Sequence, residues 1–390
     1  MKYHSTGIIL FAIAVALVGC EEDVENNDDT PSVGYLYTFN DRKIGTPANS
    51  TALLPGGDLV ICGNYIANGV MDGDIYRVNN TGNQIWRTNP SPADLYTNIK
   101  GVVVHPIGDI FVCGNSSGFG SPTGSDVFLA RLTPAGDTVW TRSLLQSGTQ
   151  SAICLALAGD GGLIVASNNT LGTGGSEVVL TKFNVSDSVL WTNAIPVTYS
   201  LNVTHIEVCS NGDILISGIS FASMWSAGEP KLIRTDANGN VIWSKTYALP
   251  NLTFPNSVTE LTNGDLMVCG SAEYYPYTYL AVIRLNSAGD TLWTKYKTDS
   301  LHITTLNSLL ELDANSIVIG GSAPGALDFD ADNYIFKINS NGGLVWERQF
   351  GSSQNNCAMN LVRDGDRILI TGESGSNVYL ARIGLDGVLK

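Results

Sequence analysis

The chain has 390 residues, of which 44% are hydrophobic and only 15% are charged, and it contains 42 glycines. This composition argues against a helical or disordered chain and is typical of an all-β protein with many tight turns. The formal net charge of −15 argues against nucleic acid and anionic lipid headgroups as partners, because an acidic surface repels phosphate.

The first segment of the chain has the pattern of a targeting signal. Lys2 supplies a positive charge, and the apolar run from Ile8 to Val18 is too short to span a bilayer. The run ends in Leu17-Val18-Gly19-Cys20, which resembles the lipobox of bacterial lipoproteins. That resemblance implies a signal peptide over residues 1–19 and a diacylglycerol on the Cys20 sulfur, which would anchor the protein to the outer membrane. An ordinary secretory signal followed by a chance cysteine is the alternative.

Residues 20–32 form an acidic segment without aromatic side chains. Such a segment predicts a solvated tether rather than a packed element. An acidic run directly after the lipid-bearing cysteine resembles the export signal of Bacteroidota surface lipoproteins, which implies a cell-surface location. A plain spacer is the alternative.

From residue 33 to the end, the chain repeats itself. Tryptophans recur about every 50 residues, the period of a four-stranded propeller blade, at Trp86, Trp140, Trp191, Trp243, Trp293 and Trp346. A basic residue recurs on the third strand of each repeat, and its seven occurrences indicate seven repeats. They are Arg77, Arg131, Lys182, Arg234, Arg284, Lys337 and Arg382. We therefore predict an all-β, seven-bladed β-propeller over residues 33–390 with four antiparallel strands per blade. One base per blade at one register predicts a blade-to-blade hydrogen bond rather than a binding patch.

The last repeat stops one strand short of a complete blade. The segment from Tyr35 to Phe39 mirrors the outer strand from Trp346 to Phe350. This predicts that the N-terminal strand becomes the outer strand of the last blade, which would hide both sheet edges and close the ring.

Two short motifs carry a family resemblance. The Gly-x-x-x-Trp element, as in Gly136 to Trp140, resembles the Trp-docking repeat of quinoprotein (PQQ-like) propellers. The element from Asp126 to Leu132 resembles the bacterial seven-bladed SBBP repeat. The third repeat departs from the pattern, with Asp187 in place of the turn glycine. The resemblance implies the fold and leaves function open, because propellers host many activities.

Long loops fall on one face of the predicted propeller. The first and third strands of a blade run parallel, so the loops that enter them lie together, and the other face carries short glycine turns. Two adjacent repeats, blades 4 and 5, place aromatic residues in these loops: Tyr199, Phe221, Trp225, Phe254, Tyr274, Tyr275 and Tyr277. Exposed aromatic residues with polar tips bind sugar rings and protein partners. The alternative is that they pack together as a small core.

An amide residue stands near the start of each first strand, at Asn49, Asn98, Gln150, Asn202, Asn256, Asn307 and Asn356. Seven equivalent amides near the central channel would be able to bind a ligand. The favoured interpretation is that they satisfy backbone groups of the loops.

Cysteine residues recur at one position of the repeat, in Cys62, Cys113 and Cys269. Other blades carry small residues there, as in Ala166 and Ser217. The position therefore predicts a small buried side chain rather than a disulfide framework.

Asp328, Asp330 and Asp332 have the alternating spacing of calcium ligands. Asn333 and Asn339 stand where an EF-hand loop has glycine and a bidentate glutamate. Calcium is thus a weak candidate, and no other metal or cofactor is predicted.

Enzyme signatures are weak. The match of residues 114–118 to the G-x-S-x-G pattern lacks the strand-to-helix turn that this motif needs. The mature chain has three histidines, His105, His205 and His302, on different blades and without metal-ligand spacing. The sequence therefore favours a non-catalytic binding or scaffold lipoprotein that presents its loop face to a glycan or protein. The alternatives are an enzyme such as a glycan lyase or quinoprotein, or a periplasmic scaffold for outer-membrane assembly.

Overall fold

The computed structural model of the chain is an all-β propeller. It describes residues 43–44, 50–67, 70–90, 96–117, 125–144, 149–170, 176–197, 200–223, 228–247, 252–274, 277–299, 305–324, 331–351, 356–374 and 377–388. Its strands are, in chain order, β1 (Lys43–Ile44), β2 (Thr51–Leu53), β3 (Leu59–Ala67), β4 (Val70–Val78), β5 (Gln84–Thr88), β6 (Thr97–Val104), β7 (Ile110–Ser116), β8 (Asp126–Leu132), β9 (Thr138–Leu144), β10 (Thr149–Leu157), β11 (Leu163–Thr170), β12 (Ser176–Phe183), β13 (Val189–Pro196), β14 (Ser200–Val208), β15 (Ile214–Phe221), β16 (Glu229–Thr235), β17 (Val241–Thr246), β18 (Leu252–Glu260), β19 (Leu266–Tyr274), β20 (Tyr277–Leu285), β21 (Thr291–Asp299), β22 (Thr305–Asp313), β23 (Ser316–Pro324), β24 (Ala331–Ile338), β25 (Leu344–Phe350), β26 (Asn356–Asp364), β27 (Arg367–Ser374) and β28 (Asn377–Gly384).

These strands form seven antiparallel sheets, one per blade, which confirms the predicted seven-bladed fold. Blades 2 to 6 each have four strands in sequence order, from β6–β9 to β22–β25. In blade 1, β1 and β2 both pair with β3, and β4 and β5 complete the sheet. Blade 7 shows β26, β27 and β28. The segment Tyr35–Phe39, predicted to be its outer strand, lies outside the described residues.

Blade 7 packs directly against blade 1. The Oγ1 atoms of Thr51 and Thr371 are 2.6 Å apart, and Asn360 Nδ2 donates to Ser50 Oγ at 2.5 Å. Contacts between residues so distant in sequence close the ring.

The hydrophobic core is divided among the blade interfaces. Each strand alternates its side chains between its two neighbouring blades, so each interface has its own apolar cluster. In blade 2, for example, Phe128 packs towards blade 1, whereas its neighbour Leu129 packs towards blade 3. Side-chain position along a strand therefore tells which neighbouring blade a residue contacts.

The described cysteines are all free thiols. Cys62, Cys113 and Cys269 are buried in the cores, as their shared position predicts. Burial raises the pKa of the Cys113 thiol to about 12, so it behaves as a small apolar group.

Within the described ranges, no helix is long and apolar enough to cross a membrane.

Candidate functional site

The two faces of the propeller differ in their connections. Turns between the first and second strands, and between the third and fourth strands, form the turn face. Most of the described turns close with a glycine, as in the bond from Gly136 N to Thr133 O at 2.9 Å, whereas the turn at Asp187 and the turn from Asp313 to Ser316 contain none. Gly136 has a φ of 91°, and a Cβ there would lie 2.9 Å from the Trp86 ring of the preceding blade. Only glycine fits this close approach. The other connections form the loop face, to which the sequence assigns the predicted aromatic site.

The basic column on the third strands bonds the turn face together. Arg77 donates to Asp58 Oδ2 in its own blade at 2.7 Å, and to Pro134 O in the turn of the next blade at 2.7 Å. The same pairing recurs from Arg131 to Val185 O, from Arg234 to Ser287 O and from Arg284 to Ser340 O. For these four arginines the bonds confirm the prediction that the column links blades, whereas Lys182 donates to Asp160 of its own blade at 2.7 Å.

The predicted aromatic site falls largely outside the described part of the chain. Trp225, Tyr199 and Tyr275 lie in segments that the structure does not describe. Phe254 lies in β18, and Tyr274 pairs in register with Tyr277 at the end of β19 and the start of β20. These positions are at the loop-face end of blade 5, in strands rather than in the loops that the sequence predicts.

Phe221, at the loop-face end of β15, is the member of the aromatic group whose side chain is described. It is half-buried, and its ring lies over Gly228, where a Cβ would come within 3.0 Å. Phe221 therefore packs against Gly228 of its own blade, and this contact does not test whether the aromatic residues pack together as a small core.

The calcium prediction involves one described residue. Asp332 is half-buried and accepts a hydrogen bond from Gln349 Nε2 at 3.3 Å. Asp328 and Asp330 lie outside the described residues, as does Cys20, the predicted lipidation site. Within the described ranges, no three His, Cys, Asp or Glu side chains converge to hold a metal ion.

The amides of blades 2 to 7 are not equivalent as predicted, because the first strand of each of these blades contains a β-bulge, and Asn49 of blade 1 lies outside the described residues. Asn256 and Asn307 occupy the bulges themselves, whereas Asn98 and Asn202 precede their bulges by two residues and Gln150 by three. A bulge shifts the register, so equal spacing in sequence does not give equal positions in space. Asn256 and Asn307 do satisfy backbone groups: they donate to Leu306 O at 2.9 Å and to Ala358 O at 3.1 Å in the next blade.

Both described histidines link neighbouring blades. His105 Nε2 lies 3.2 Å from Gly161 O, in the turn of blade 3. His205 is buried, and its Nδ1 accepts from Val258 N at 3.0 Å. Burial lowers the pKa of His205 to about 4, so the ring is neutral near pH 7. Neither histidine is placed to act as an exposed proton acceptor.

A cavity of about 320 Å³ lies between blades 5 and 6. It is lined mainly by apolar side chains such as Val282 and Phe336, with Lys295 and Glu347 also on its wall. These residues belong to the third and fourth strands of the two blades, so the cavity lies towards the outer rim. It does not include the predicted aromatic residues.

Buried polar atoms without partners mark a different region of the loop face. Among the described residues, such atoms occur only in blades 2 and 3: Ser116 Oγ, Asp126 Oδ2, Trp140 Nε1, Ser143 Oγ, Gln150 Nε2, Asn168 Oδ1 and Asn169 Oδ1. All except Trp140 Nε1 lie at the loop-face ends of their strands. We call the remaining six residues the polar floor. Burying an unpaired polar group costs about 1–3 kcal/mol, so such groups in native proteins call for a specific explanation.

The polar floor was not found from the sequence. Its signal is a change of residue type at fixed register: small serines stand beside an acid in blade 2 where other blades have amides. That register depends on strand pairing and bulges, which the repeat alignment alone does not show.

The fold is shared with proteins of several activities. No protein-family model and no curated protein sequence matches the chain. An ulvan lyase of polysaccharide lyase family PL25, bound to -[GlcA(1-4)Rha3S]-, is similar in structure with a TM-score of 0.62 and 11% identity, over 91% of this chain and 96% of the lyase. The polysaccharide lyase Uly1 matches with a TM-score of 0.57 and 11% identity, over 91% of this chain and 100% of its own.

A chain of the Drosophila Plexin A complex with Semaphorin 1b also matches, with a TM-score of 0.52 and 11% identity, over 90% of this chain and 87% of its own. At this level of identity the similarity shows the propeller fold. The activity of this chain is a separate question.

Proposed function

We propose that the protein is a lipid-anchored binding protein of the outer membrane, exposed at the cell surface, that takes up a glycan on its propeller loop face. The anchor is the Cys20 lipid that the lipobox implies, and residues 20–32 act as the tether. The function is binding rather than catalysis.

The observation that carries this proposal is the contrast between the two faces. On the turn face, polar side chains are used in bonds that repeat from blade to blade, as in Arg77 and Arg131. On the loop face, the described residues include buried acceptors and donors without partners. A carbohydrate, whose hydroxyls both donate and accept, is the ligand class that matches a mixed set of such groups.

The aromatic residues of blades 4 and 5 extend this binding face. Trp225, Tyr274, Tyr275 and Tyr277 provide flat surfaces with polar tips, which suit the apolar face of a sugar ring. The polar floor and the aromatic group would then hold different parts of one extended glycan.

Catalysis on a glycan is the second candidate, favoured by the similarity to two polysaccharide lyases over nine-tenths of this chain. Lyase chemistry needs a base that removes a proton next to a carboxylate. The described histidines do not offer one, because His205 is buried and His105 is bonded in the turn face. His302 lies outside the described residues.

Location is tested by fractionation. Cys20→Ala should release the protein from the membrane fraction. Protease added to intact cells should degrade the wild-type protein, and survival until the cells are lysed would instead place it in the periplasm.

Binding is tested on an array of neutral, amino and acidic oligosaccharides, followed by calorimetry with the strongest binder. The same glycan, incubated with the protein and analysed by mass, should stay intact. Shortened products with an unsaturated end would establish a lyase, and an array without signal would contradict glycan binding.

The aromatic contribution is tested with Trp225→Ala. Truncating an aromatic anchor costs about 2 kcal/mol or more, which corresponds to a loss of affinity of about thirtyfold. The melting temperature should stay unchanged. A lower melting temperature with unchanged affinity would show that Trp225 packs in a small core of the loops.

A further inference from the structure

The acidic residue near the start of the third strand recurs in five described blades, and its environment differs in one of them. In blade 1, Asp72 accepts from Asn89 Nδ2 at 2.5 Å, and in blade 6, Asp332 accepts from Gln349 Nε2 at 3.3 Å. Asn89 and Gln349 both lie three residues after the repeat tryptophan. An amide on the outer-strand side thus satisfies the acid in these two blades.

In blades 3 and 4 the carboxylate at this position is satisfied in other ways. In blade 3, Glu177 accepts from Asn169 Nδ2 at 2.9 Å, and Asn169 is its direct partner on the second strand. In blade 4, Glu229 is exposed to solvent. Each of these carboxylates is paired with an amide or hydrated.

In blade 2 the acid has neither an amide partner nor exposure to solvent. Asp126 is 2% exposed, so water does not solvate it from the surface. Its direct partner on β7 is Ser116, and Ser143 on β9 takes the place of Asn89 and Gln349. A serine side chain at either position is too short to reach the Asp126 carboxylate as the longer amide side chains do in the other blades. Asp126 Oδ2, Ser116 Oγ and Ser143 Oγ are all buried and without a partner.

The three side chains lie on the same side of the blade 2 sheet. On β8, Asp126 is on the same side as Phe128 and Ala130, because side chains two residues apart share a face. Phe128 and Ala130 pack against blade 1. Ser116 is opposite Asp126, and Ser143 is opposite Phe128, so both share this side. We call this group the Asp126 slot. It lies at the loop-face end of the interface between blades 1 and 2.

From this geometry we infer that the Asp126 slot is a subsite for a hydroxyl or amide N–H donor of an uncharged or amino glycan. The inference rests on the proposed glycan-binding function and gives its ligand class. The donor enters between Asp126 and Ser143 and takes the place that the amide of Asn89 occupies in blade 1.

The ligand class follows from the chemistry of the slot. A carboxylate accepts hydrogen bonds and donates none, so its missing partner must carry a proton. The two serine hydroxyls can then donate to, or accept from, the neighbouring sugar oxygens. Uronate and sulfate groups have no proton to give at neutral pH, and both Asp126 and the net charge of −15 repel them. An acidic group is therefore the wrong occupant of this slot, and a neutral or amino sugar suits it better.

The unpaired amides of the polar floor give less support for a ligand site than the Asp126 slot does. Gln150 is opposite Asn169, and one lacks an acceptor where the other lacks a donor. A rotation of the two side chains would pair them with each other. The inference therefore depends on the Asp126 slot.

The repeat itself supplies the decisive variant. Ser143→Asn places in blade 2 the amide that satisfies Asp72 in blade 1, and so fills the slot from within. We expect a raised melting temperature, because a buried carboxylate gains a donor. We also expect an affinity at least about tenfold lower for the best neutral or amino oligosaccharide of the array, the factor that corresponds to about 1.4 kcal/mol.

Two further variants keep the test secure. Asn89→Ser opens the equivalent position in blade 1, and it should lower the melting temperature without changing the affinity. Ser116→Asn fills the slot from the second strand, as Asn169 does for Glu177, and it replaces Ser143→Asn if that protein does not fold.

The outcomes separate the inference from the function on which it rests. Loss of binding with a raised melting temperature supports the inference. A raised melting temperature with unchanged affinity means that the slot holds only water, and it overturns the inference. Binding of acidic oligosaccharides alone also overturns it but leaves glycan binding standing. Absence of binding to every glycan on the array contradicts the proposed function itself.

Discussion

The turn-face and loop-face ends of the same blades pair their buried polar groups differently. At the turn face, Arg234 bonds to Asp213 at 2.8 Å and to Ser287 O of the next blade at 3.2 Å, and the pattern recurs around the ring. At the loop face, Asp126 and Ser143 in blade 2 have buried atoms without partners. At the turn-face end, the buried polar groups thus join neighbouring blades. At the loop-face end, some buried polar groups take no part in contacts between blades.

This difference explains which features recur in the sequence. Residues that join blades must recur at one register, because every interface needs the same bond. Residues that bind a ligand are free to differ between blades. Departures from the repeat are therefore the informative positions for function, provided that their register is known.

The largest expected effect comes from removing a turn-face cation. The Arg234 side chain is only 9% exposed and lies 2.8 Å from Asp213 and 3.5 Å from Glu260. Arg234→Met would leave two buried carboxylates without their cation, which typically costs about 3–5 kcal/mol in the free energy of unfolding. Urea denaturation measures this loss.

The matched control is Lys245→Met at the same face. The ammonium of Lys245 lies 2.6 Å from Asp290, but that carboxylate is 65% exposed. An exposed pair contributes about 0–1 kcal/mol. Equal losses for the two variants would contradict the view that burial gives the basic column its importance.

A second effect concerns pH and the interface between blades 4 and 5. Burial lowers the pKa of His205 to about 4, below its ordinary value of 6.5. The unfolded chain therefore binds a proton at a pH where the folded chain does not. This contribution to stability is complete above pH 6.5 and falls by about 3 kcal/mol as the pH falls to 4.

Glu207, two residues further along the same strand, has the opposite effect. Burial raises its pKa to about 7, although Thr259 Oγ1 donates to it at 3.0 Å. Its contribution is complete below pH 4.5 and is lost as the pH rises through 7. Between pH 4.5 and 6.5, the contribution of His205 to the free energy of unfolding rises with pH, whereas the contribution of Glu207 falls.

Glu207→Gln separates these two slopes. The free energy of unfolding of the variant minus that of the wild type should rise between pH 4.5 and 7, by up to about 3 kcal/mol. Denaturant titrations at several pH values measure this difference. A difference that does not change with pH would show that Glu207 titrates normally in the folded protein.

Much of the fold was predictable because its repeated residues make repeated bonds. The tryptophan and basic columns count the blades, since Arg77 and Trp86 both donate to Pro134 O in the next blade. The supposed ring of amides failed because bulges such as that at Asn256 shift the register by one residue. The Asp126 slot was hidden for a different reason, since its positions keep a constant spacing in the repeat but the sequence does not show which side chains are opposite Asp126 and buried with it.

A smaller effect compares the loop-face ends of blades 1 and 2 directly. Asn89→Ser removes the donor to Asp72, and we expect a loss of about 1 kcal/mol, the usual net value of one hydrogen bond. Ser143→Asn should change stability by a similar amount in the opposite direction. Thermal and urea unfolding of both variants test the signs. Destabilisation by both would mean that the Asp126 slot cannot accommodate an amide.

The smallest effect comes from Asp187, which stands where the other described turns between third and fourth strands have a glycine. Asp187 has a φ of 78°, a left-handed conformation that favours glycine, and its Oδ1 lies 2.9 Å from Arg142 Nη1. Asp187→Gly relieves the strained backbone but removes an ion pair whose side chains are 37% and 35% exposed. These contributions have opposite signs and are each below about 1 kcal/mol, so the free energy of unfolding should change by less than about 0.5 kcal/mol.

Two further substitutions at the same position separate strain from charge. Asp187→Asn keeps a side chain that tolerates the left-handed region and removes only the charge, so its loss should equal the contribution of the ion pair. Asp187→Ala also removes the ion pair, and alanine lacks the short polar side chain with which Asp and Asn tolerate positive φ, so the full cost of that conformation, about 1–2 kcal/mol, applies. The expected order of stability is therefore wild type and Gly together, then Asn, then Ala. An Ala variant as stable as the Asn variant would show that this turn relaxes its backbone, and that the glycines of the other blades are needed for their contact with the tryptophan ring alone.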